Sequence, residues 1–284
     1  MSAANKLDEL NLLLVGCGKM GSALLHGWFD QGLRASHVDV LDPNPPGWIK
    51  EMVPLGLRIN PSEKRVYDVV VFATKPQYLL SAVKSLGDIS LEKTLVVSVA
   101  AGISIAGIEK MLGTSAAIVR AMPNTPAEIG YGMTCVVANQ RATGAPLSVA
   151  KQLMAAVGEV SVLKSEEQMH AVTGVSGSGP AYVFAVAEAM EAGAIAQGLP
   201  NELARKLVIE TIRGAGQLMA VSKSAPPSLR EAVTSPGGTT EAALKTLLRP
   251  RDGLTTLFRD GIKAATDRSR ELANTSTTGV QEKI

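Results

Sequence analysis

The residues of this chain with the clearest chemical use are three glycines, Gly16, Gly18 and Gly21, at the spacing G-x-G-x-x-G. Gly16 permits a tight turn, Gly18 lets an anion approach the backbone, and Gly21 lets a following helix pack closely. Free backbone N–H groups at the start of such a helix bind phosphate, helped by the positive end of the helix dipole. The spacing therefore predicts a site for the pyrophosphate of a dinucleotide.

The elements around this turn are those that a dinucleotide site requires. An unbroken apolar run, Leu12 to Val15, precedes the turn, and a helical pattern from Ser22 follows it. A second predicted strand, Val38 to Leu41, ends at Asp42, which lies 21 positions after Gly21. This distance is close to the roughly 20 residues expected before the acid that binds the adenine ribose. The alternative is an ordinary strand–helix turn without a ligand.

Composition limits the other classes of function. The chain has 284 residues, 46% of them hydrophobic and 19% charged, which favours two domains with a sizeable core. The net charge is +2 without a block of basic residues, so we expect neither nucleic acid nor a membrane as a partner. The polar N-terminus lacks a signal-peptide pattern, and we expect a cytoplasmic protein. The two cysteines, Cys17 and Cys135, and the three histidines do not have the spacing of metal ligands, so we expect no metal site. Cys17 is interpreted as a small turn residue and His170 as a surface residue.

Strand patterns alternate with helix patterns up to about residue 164, and only helix patterns follow. Runs such as Tyr67–Ala73 and Leu95–Val99 are apolar except for Asp68 and Ser98, which indicates a parallel sheet buried on both faces. We predict a Rossmann-like α/β domain over residues 1–164, an all-α domain over 165–275 and a disordered tail over 276–284. The second domain is predicted to contain helices over Pro180–Gln197, Asn201–Val221, Ser228–Val233, Thr240–Leu248 and Leu254–Leu272.

Other Gly- and Pro-containing segments follow the later predicted strands. Thr74-Lys75-Pro76, Ala100-Ala101-Gly102 and Met122-Pro123-Asn124 all stand where an apolar run ends. Ligands of doubly wound sheets bind beyond the carboxyl ends of the strands. We therefore expect these segments to lie near the Gly-rich turn.

Two Gly-rich segments interrupt the second domain. Ser176 to Pro180 precedes one predicted helix, and Thr234 to Thr240 precedes another. Each is predicted to be a loop with free N–H groups at a helix start, which suits a carboxylate. Ordinary helix capping is the alternative for either segment. Beside a nucleotide-binding domain, the pair favours a small anionic substrate.

Six motifs spread over almost the whole chain carry a resemblance to a known family. The most specific are Val172–Tyr182 and Val233–Thr240, and the others are Val15–Gly21, Ala73–Pro76, Val99–Gly102 and Arg120–Pro126. The resemblance is to the pyrroline-5-carboxylate reductases. It implies hydride transfer from NADPH or NADH to the imine carbon of 1-pyrroline-5-carboxylate, giving L-proline. It also implies that the all-α domain is a dimerisation domain, that the substrate site lies where two subunits meet, and that dimers can form a ring.

The resemblance also implies the residues of the site. Thr240 is expected to act as the catalytic residue by hydrogen-bonding the ring nitrogen; a helix-start hydroxyl is its alternative role. For Glu166 the alternative is a solvated surface carboxylate. The substrate-binding residues are expected to be Glu166, Ser176, Gly177, Ser178, Gly179, Pro180, Gly238, Thr239 and Thr240. The cofactor-binding residues are expected to be Gly16, Cys17, Gly18, Lys19, Met20, Gly21, Asp42, Asn60, Thr74, Lys75, Pro76 and Ala101.

The choice between the two nicotinamide cofactors stays open at this point. An aspartate at position 42 accepts a hydrogen bond from a free 2′-hydroxyl and repels a 2′-phosphate, which favours NADH. The family often uses NADPH, although no arginine follows Asp42 closely here. We expect NADPH to be usable and leave the use of both open.

Two other functions compete with this interpretation. A β-hydroxyacid or 6-phosphogluconate-type dehydrogenase would need a lysine base, yet the helix after Pro180 holds Glu188 and Glu191 and no lysine. A non-catalytic dinucleotide sensor would need neither Gly-rich segment of the second domain. Tyr182 is interpreted as a packing residue rather than a catalytic acid.

Overall fold

The apolar runs of the N-terminal part become the strands of one sheet. The computed structural model of the protein describes residues 7–113 and 116–281. The strands are β1 (Leu12–Val15), β2 (Val38–Leu41), β3 (Arg58–Ile59), β4 (Val69–Phe72), β5 (Leu95–Ser98), β6 (Ala117–Met122), β7 (Gly132–Ala138) and β8 (Gly158–Val162). Their order in the sheet is β3-β2-β1-β4-β5-β6-β7-β8. Neighbouring strands are parallel except β6 and β7, which are antiparallel.

Helices cover both faces of this sheet, as the continuous apolar strands require. The helices are α1 (Lys19–Asp30), α2 (Leu79–Lys84), α3 (Ile105–Leu112) and α4 (Ala145–Ala155). Leu12 and Leu14 of β1 pack in the cluster that contains α1 and α4, whereas Leu13 packs with α2 and α3. This arrangement confirms the predicted Rossmann-like fold class.

The strand order creates the crevice at which a ligand is expected. β1 lies between β2 and β4, so the chain leaves β1 in one direction along the sheet and returns to its other side. In open parallel sheets such a reversal opens a crevice beyond the carboxyl ends of the strands. The turn from Gly16 to Gly21 leaves β1 at this end.

A buried aspartate on β2, Asp39, binds three side chains at the β3 edge of the sheet. The Asp39 carboxylate is fully buried and accepts hydrogen bonds from Arg58, Arg65 and Tyr67. Arg58 lies on β3 directly opposite Asp39. Burial and the bond to Asp39 raise the pKa of the Tyr67 hydroxyl to about 12. The sequence patterns did not predict β3, because a two-residue strand has no periodicity to detect.

The C-terminal part is helical, as predicted. Its helices are α5 (Gln168–Val172), α6 (Gly179–Ala196), α7 (Asn201–Val221), α8 (Pro226–Ala232), α9 (Thr239–Leu247) and α10 (Leu254–Gln281). The chain forms two compact units: the second is Ser178–Ala264, and the first contains the rest. The predicted boundary near residue 164 stays a prediction. No helix within the described residues has both the length and the apolarity needed to cross a membrane.

Two predicted features of the C-terminal part are wrong. The segment before Pro180 was predicted to be a loop, but Thr173–Gly177 forms a π-helical turn that follows α5 directly. Its glycines allow close packing, because a Cβ at Gly177 would lie 2.8 Å from the Met122 Cε atom. The last helix was predicted to end near Ala273, but α10 continues to Gln281 because no proline interrupts it. The predicted tail from residue 276 is therefore helical up to Gln281, and residues 282–284 lie outside the described residues.

Candidate functional site

The Gly-rich turn has the geometry that its spacing predicts. Gly16 has a φ of +92°, which favours glycine, and its N–H donates to the Leu41 carbonyl at 2.8 Å. A Cβ added at Gly21 would lie 2.2 Å from the Gly16 carbonyl oxygen, so no larger residue fits there without a shift of the turn. A Cβ at Gly18 would meet nothing within 4 Å. Gly18 thus borders open space into which a ligand can come close to the backbone.

The start of α1 offers unpaired donors to that space. Gly18 is the N-cap residue, and no side chain caps the helix. The N–H groups of Lys19, Met20 and Gly21, the first three residues of α1, therefore have no intrahelical acceptor. Donors at the positive end of a helix dipole bind anions. The Lys19 side chain is exposed beside them.

Asp42 lies against this turn rather than apart from it. One carboxylate oxygen accepts from the Cys17 N–H at 2.6 Å, and the other accepts from the Asn44 N–H at 2.7 Å. The Cys17 N–H is therefore already paired, and it is not one of the open donors of the turn. Burial raises the pKa of the Cys17 thiol, which favours the interpretation of this cysteine as a small turn residue.

Asn60 connects β3 to the same place. Its side-chain oxygen accepts from the Asp42 N–H at 2.9 Å, and its side-chain nitrogen donates to the Asp42 carbonyl at 2.7 Å. Asn60 has a φ of +47°, a left-handed conformation that asparagine tolerates better than most residues. The predicted cofactor residues Asp42 and Asn60 are thus brought together.

The remaining predicted cofactor residues end neighbouring strands of the same unit. The Thr74 Oγ1 atom, just after β4, is buried and has no hydrogen-bond partner among the described residues. Lys75 precedes a short 3₁₀ turn that begins at Pro76, and Ala101 is exposed in the turn after β5. An unpaired hydroxyl, open helix N–H groups and a glycine facing open space fit a dinucleotide. Within residues 7–113 and 116–281 no three metal-ligating side chains gather at one place.

Glu166 is held in an ion pair and is not a solvated surface carboxylate. Its Oε1 atom accepts from Arg120 Nη1 at 2.8 Å and from the Ile105 N–H, at the start of α3, at 2.9 Å. The Arg120 side chain on β6 is only 4% exposed, and that of Glu166 is 30% exposed. The Oε2 atom of Glu166 has no hydrogen-bond partner among the described residues. It is the oxygen that remains available to a ligand.

We expect Glu166→Ala to lower the free energy of unfolding by about 2–3 kcal/mol, because Arg120 would keep its buried charge without an acceptor. Chemical denaturation measures this change. Glu167→Ala is the matched control: that neighbouring carboxylate is 70% exposed and pairs with Arg270 at the surface, so its loss should cost at most about 1 kcal/mol. Equal losses of unfolding free energy in the two variants would mean that Glu166 behaves as an ordinary surface carboxylate.

Asn124 brings Ser176 to the end of β6. Its side-chain nitrogen donates to the Ser176 carbonyl at 3.2 Å and contacts the Ser176 hydroxyl at 3.3 Å. Its side-chain oxygen accepts from the Met133 N–H at 2.8 Å. Asn124 was not predicted as a site residue, although it stands in the Pro-containing segment after β6. A single asparagine after a strand gives no signal of such a long-range bond.

The second unit presents Thr240 at the start of α9. The N-cap residue is Gly238, and no side chain caps the helix. The Thr240 hydroxyl has no hydrogen-bond partner within the part of the chain that the structure describes. Glu241 instead ties the preceding loop to the helix, because its carboxylate accepts from the Gly237 N–H at 2.7 Å. Thr240 thus stands at a helix start, as its alternative role states, but its hydroxyl makes no capping hydrogen bond there.

The structure contradicts the interpretation of His170 and supports that of Tyr182. His170 was interpreted as a surface residue, but it is half-buried and its Nδ1 atom lies 3.1 Å from the Ser269 hydroxyl. Burial lowers the pKa of His170. Tyr182 packs edge-on against Phe258 with ring centroids 6.2 Å apart, which supports the packing interpretation.

Known proteins resemble this chain in fold and in sequence. The sequence profile for pyrroline-5-carboxylate reductase dimerisation matches residues 166–272, and the profile described as NADP oxidoreductase, coenzyme F420-dependent, matches residues 11–102. The pyrroline-5-carboxylate reductase of Pseudomonas aeruginosa is 37% identical over 92% of this chain and 96% of its own. That of Synechocystis is 36% identical over 93% of this chain and 98% of its own.

Solved structures agree with these matches. A pyrroline-5-carboxylate reductase from Coxiella burnetii superposes with a TM-score of 0.85 at 35% identity, covering 93% of this chain and 98% of that one. The Plasmodium falciparum pyrroline carboxylate reductase, solved with NADP bound, gives a TM-score of 0.80 at 26% identity over 94% of this chain and 99% of its own. The nucleotide-binding turn, the helical second part and these matches lead to one conclusion: the chain belongs to the pyrroline-5-carboxylate reductase family.

Proposed function

We propose that this protein reduces 1-pyrroline-5-carboxylate to L-proline with NAD(P)H, the last step of proline biosynthesis. The observation that carries the proposal is the match to a pyrroline-5-carboxylate reductase over 92% of the chain. Two structural features support it: the open N–H groups at the start of α1, and a Thr240 hydroxyl without a hydrogen-bond partner among the described residues.

The cofactor half of the site binds NAD(P)H through the backbone. The N–H groups of Lys19, Met20 and Gly21 bind its phosphates, and Gly18 leaves room for them. The unpaired Thr74 hydroxyl gains a partner when the dinucleotide is bound. A reduced nicotinamide held there supplies a hydride, so the protein needs no covalent nucleophile.

The substrate half has to hold and orient a molecule that is already reactive. A protonated cyclic imine is an electrophile at C5, and reduction there leaves the electron pair of the C=N bond on a nitrogen that already carries its proton. The Thr240 hydroxyl hydrogen-bonds this nitrogen. Backbone N–H groups around Gly238 and Thr239 hold the carboxylate. Catalysis rests on positioning and electrostatics.

The Glu166 carboxylate is proposed to bind the substrate as well. Arg120 and the start of α3 fix one of its oxygens, so the other keeps one direction and needs no reorganisation when the substrate binds. A fixed negative oxygen favours the cationic, protonated form of the imine. Glu166 therefore helps to keep the substrate in its electrophilic form.

The protein works as a homodimer through its helical domain. α6 carries the sequence GPAYVFAVAEAMEAGAIA, mostly apolar, yet none of its residues is buried within one chain. Helices that are apolar on most sides need a partner to cover them. We also propose that the dimers form a ring and that the protein is located in the cytoplasm. Light scattering of the purified protein should give a mass that is a multiple of the dimer; a monomer would contradict it.

Glu241 gives a prediction about the loop that carries Thr240. We expect Glu241→Ala to raise the KM for the imine about tenfold, because the Gly237 N–H loses its acceptor. The loop before α9 then loses its hydrogen bond to the first turn of that helix. Steady-state kinetics with varied imine measures this effect. Glu241→Gln keeps an acceptor and should restore most of the wild-type KM. Lys245→Ala removes only the exposed partner of Glu241 and serves as the control. An unchanged KM in Glu241→Ala would contradict the positioning role.

The experiment that tests the proposed function follows NAD(P)H absorbance with purified protein, with and without 1-pyrroline-5-carboxylate. We expect oxidation only with the imine, and L-proline as the product by chiral chromatography. β-Hydroxyacids offered with the oxidised cofactor should give no reaction. Turnover of hydroxyacids but not of the imine would replace the proposal by a dehydrogenase. Dinucleotide binding without any turnover would replace it by a sensor.

A further inference from the structure

We infer that this protein prefers NADH to NADPH, and that the Asp42 carboxylate, fixed in place by Cys17, Asn44 and Asn60, sets the preference. The inference rests on the proposed function and adds the identity of its cofactor. The two cofactors differ only at the adenine ribose, where NADPH carries a 2′-phosphate. The question is therefore what the protein places at the end of β2.

The structure places there a carboxylate that cannot turn away. Each oxygen of Asp42 accepts a backbone N–H, one from Cys17 at 2.6 Å and one from Asn44 at 2.7 Å. Rotation of the carboxylate would break both bonds, and the freed Cys17 N–H lies in the turn, away from bulk solvent. A carboxylate held this way accepts from ribose hydroxyls with its remaining lone pairs. The same fixed charge repels a phosphate group.

The backbone of Asp42 is fixed as well. Asn60 pairs with both the N–H and the carbonyl of Asp42, at 2.9 and 2.7 Å. The Asn60 N–H in turn donates to the Val40 carbonyl at 2.8 Å, which ties it to β2. Movement of Asp42 out of the way of a 2′-phosphate would therefore break bonds at its main chain too. Asn60 is a positioning residue for this carboxylate.

The arginines of this edge are not available to neutralise a 2′-phosphate. From Pro43 to Leu57 the sequence contains no arginine. Arg58 and Arg65, the next two, both pair with the buried carboxylate of Asp39. Removing either from Asp39 would leave a fully buried charge with fewer partners, which is costly. Sites that accept a 2′-phosphate usually present an arginine to it.

Two other basic side chains, Lys19 and His26, line a cleft beside the turn. Asn44 and an acid, Glu128, line the same cleft. The His26 ring stacks on Trp48 with centroids 3.9 Å apart. Lys19 is thus an exposed cation of this cleft that can meet a 2′-phosphate. Binding of the 2′-phosphate by Lys19 is therefore the alternative that the experiment has to distinguish.

The first readout is binding without turnover. Titration of the purified protein with NADH and with NADPH, followed by nucleotide fluorescence in the absence of imine, gives two dissociation constants. We expect NADH to bind at least tenfold more tightly than NADPH. Asp42→Asn and Asp42→Ser should tighten NADPH binding and weaken NADH binding, which brings the ratio of the two constants to about one or reverses it. Asp88→Asn makes the same change of charge at an exposed position and should leave the ratio as it is.

Asn60→Gly tests the positioning role separately. Glycine accepts the positive φ of this position but removes both bonds to Asp42. We expect the NADH:NADPH ratio to fall several-fold while the melting temperature stays within a few degrees of wild type. A ratio unchanged by Asn60→Gly would overturn the positioning role of Asn60.

A wild-type protein that binds NADPH as well as or better than NADH would overturn the inference. If Lys19→Ala then removed NADPH binding selectively, Lys19 would be the phosphate ligand. These outcomes are distinct from a failure of the proposed function, which would appear as no oxidation of either cofactor when 1-pyrroline-5-carboxylate is added. Binding ratios and imine turnover are measured on the same preparations.

Discussion

Replacing Thr240 by alanine is expected to lower kcat for imine reduction by about 10- to 100-fold and to leave the dissociation constant of the cofactor within twofold of wild type. The hydroxyl has no partner among the described residues, so the loss falls on the substrate and not on the fold. A hydrogen bond to a charged group is worth about 1.5–3 kcal/mol, which corresponds to this range of rates. Stopped-flow or steady-state kinetics with saturating cofactor measures it.

Two variants make this result specific. Thr240→Ser keeps the hydroxyl and should recover at least a third of the wild-type rate. Thr246→Ala removes a threonine from the exposed face of the same helix and should leave kcat unchanged. Imine reduction at the wild-type rate in Thr240→Ala would contradict the role assigned to Thr240, whatever the other variants show.

Alanine at two glycines of the β1–α1 turn should separate folding from cofactor binding. At Gly21 an added Cβ would lie 2.2 Å from the Gly16 carbonyl oxygen, so we expect a loss of about 1–3 kcal/mol in unfolding free energy together with loss of cofactor binding. At Gly18 the Cβ enters open space and the φ of −72° suits any residue. Gly18→Ala should therefore fold normally and still bind NAD(P)H at least tenfold more weakly.

Thermal unfolding and nucleotide titration on the same samples distinguish these two effects. Gly214→Ala, in α7 with no atom near the added Cβ, is the control and should be neutral or stabilising by up to about 1 kcal/mol. Normal cofactor affinity in Gly18→Ala would mean that the phosphates do not pass close to this backbone. The dinucleotide cradle would then have to be sought elsewhere on the sheet.

Much of the α/β fold could be predicted because its central strands are continuously apolar and buried on both faces. Leu12 to Val15 and Val69 to Phe72 are such strands, and their sequence alone separates them from the helices. The Ser104 hydroxyl caps the helix that follows it by accepting from the Gly107 N–H at 3.1 Å, as a serine just before a helix favours. Local rules of this kind hold because the interacting residues are close in sequence.

The features that could not be predicted from the sequence depend on contacts between residues far apart in the chain. Glu166 pairs with Arg120, 46 residues earlier, and neither the charge nor its burial shows in any local pattern. Asn124 reaches Ser176 across 52 residues. The π-helical turn at Thr173–Gly177 was mistaken for a loop because its glycines and serines are typical of loops. There the small residues serve close packing against Met122.

The measurement that tests the central claim most directly follows the hydride itself. NADH or NADPH carrying deuterium on the reactive face of C4 is mixed with 1-pyrroline-5-carboxylate and the purified protein, and the product is analysed by mass spectrometry and NMR. We expect L-proline with one deuterium, located at C5. Proline without deuterium, or cofactor oxidation without proline, would contradict it.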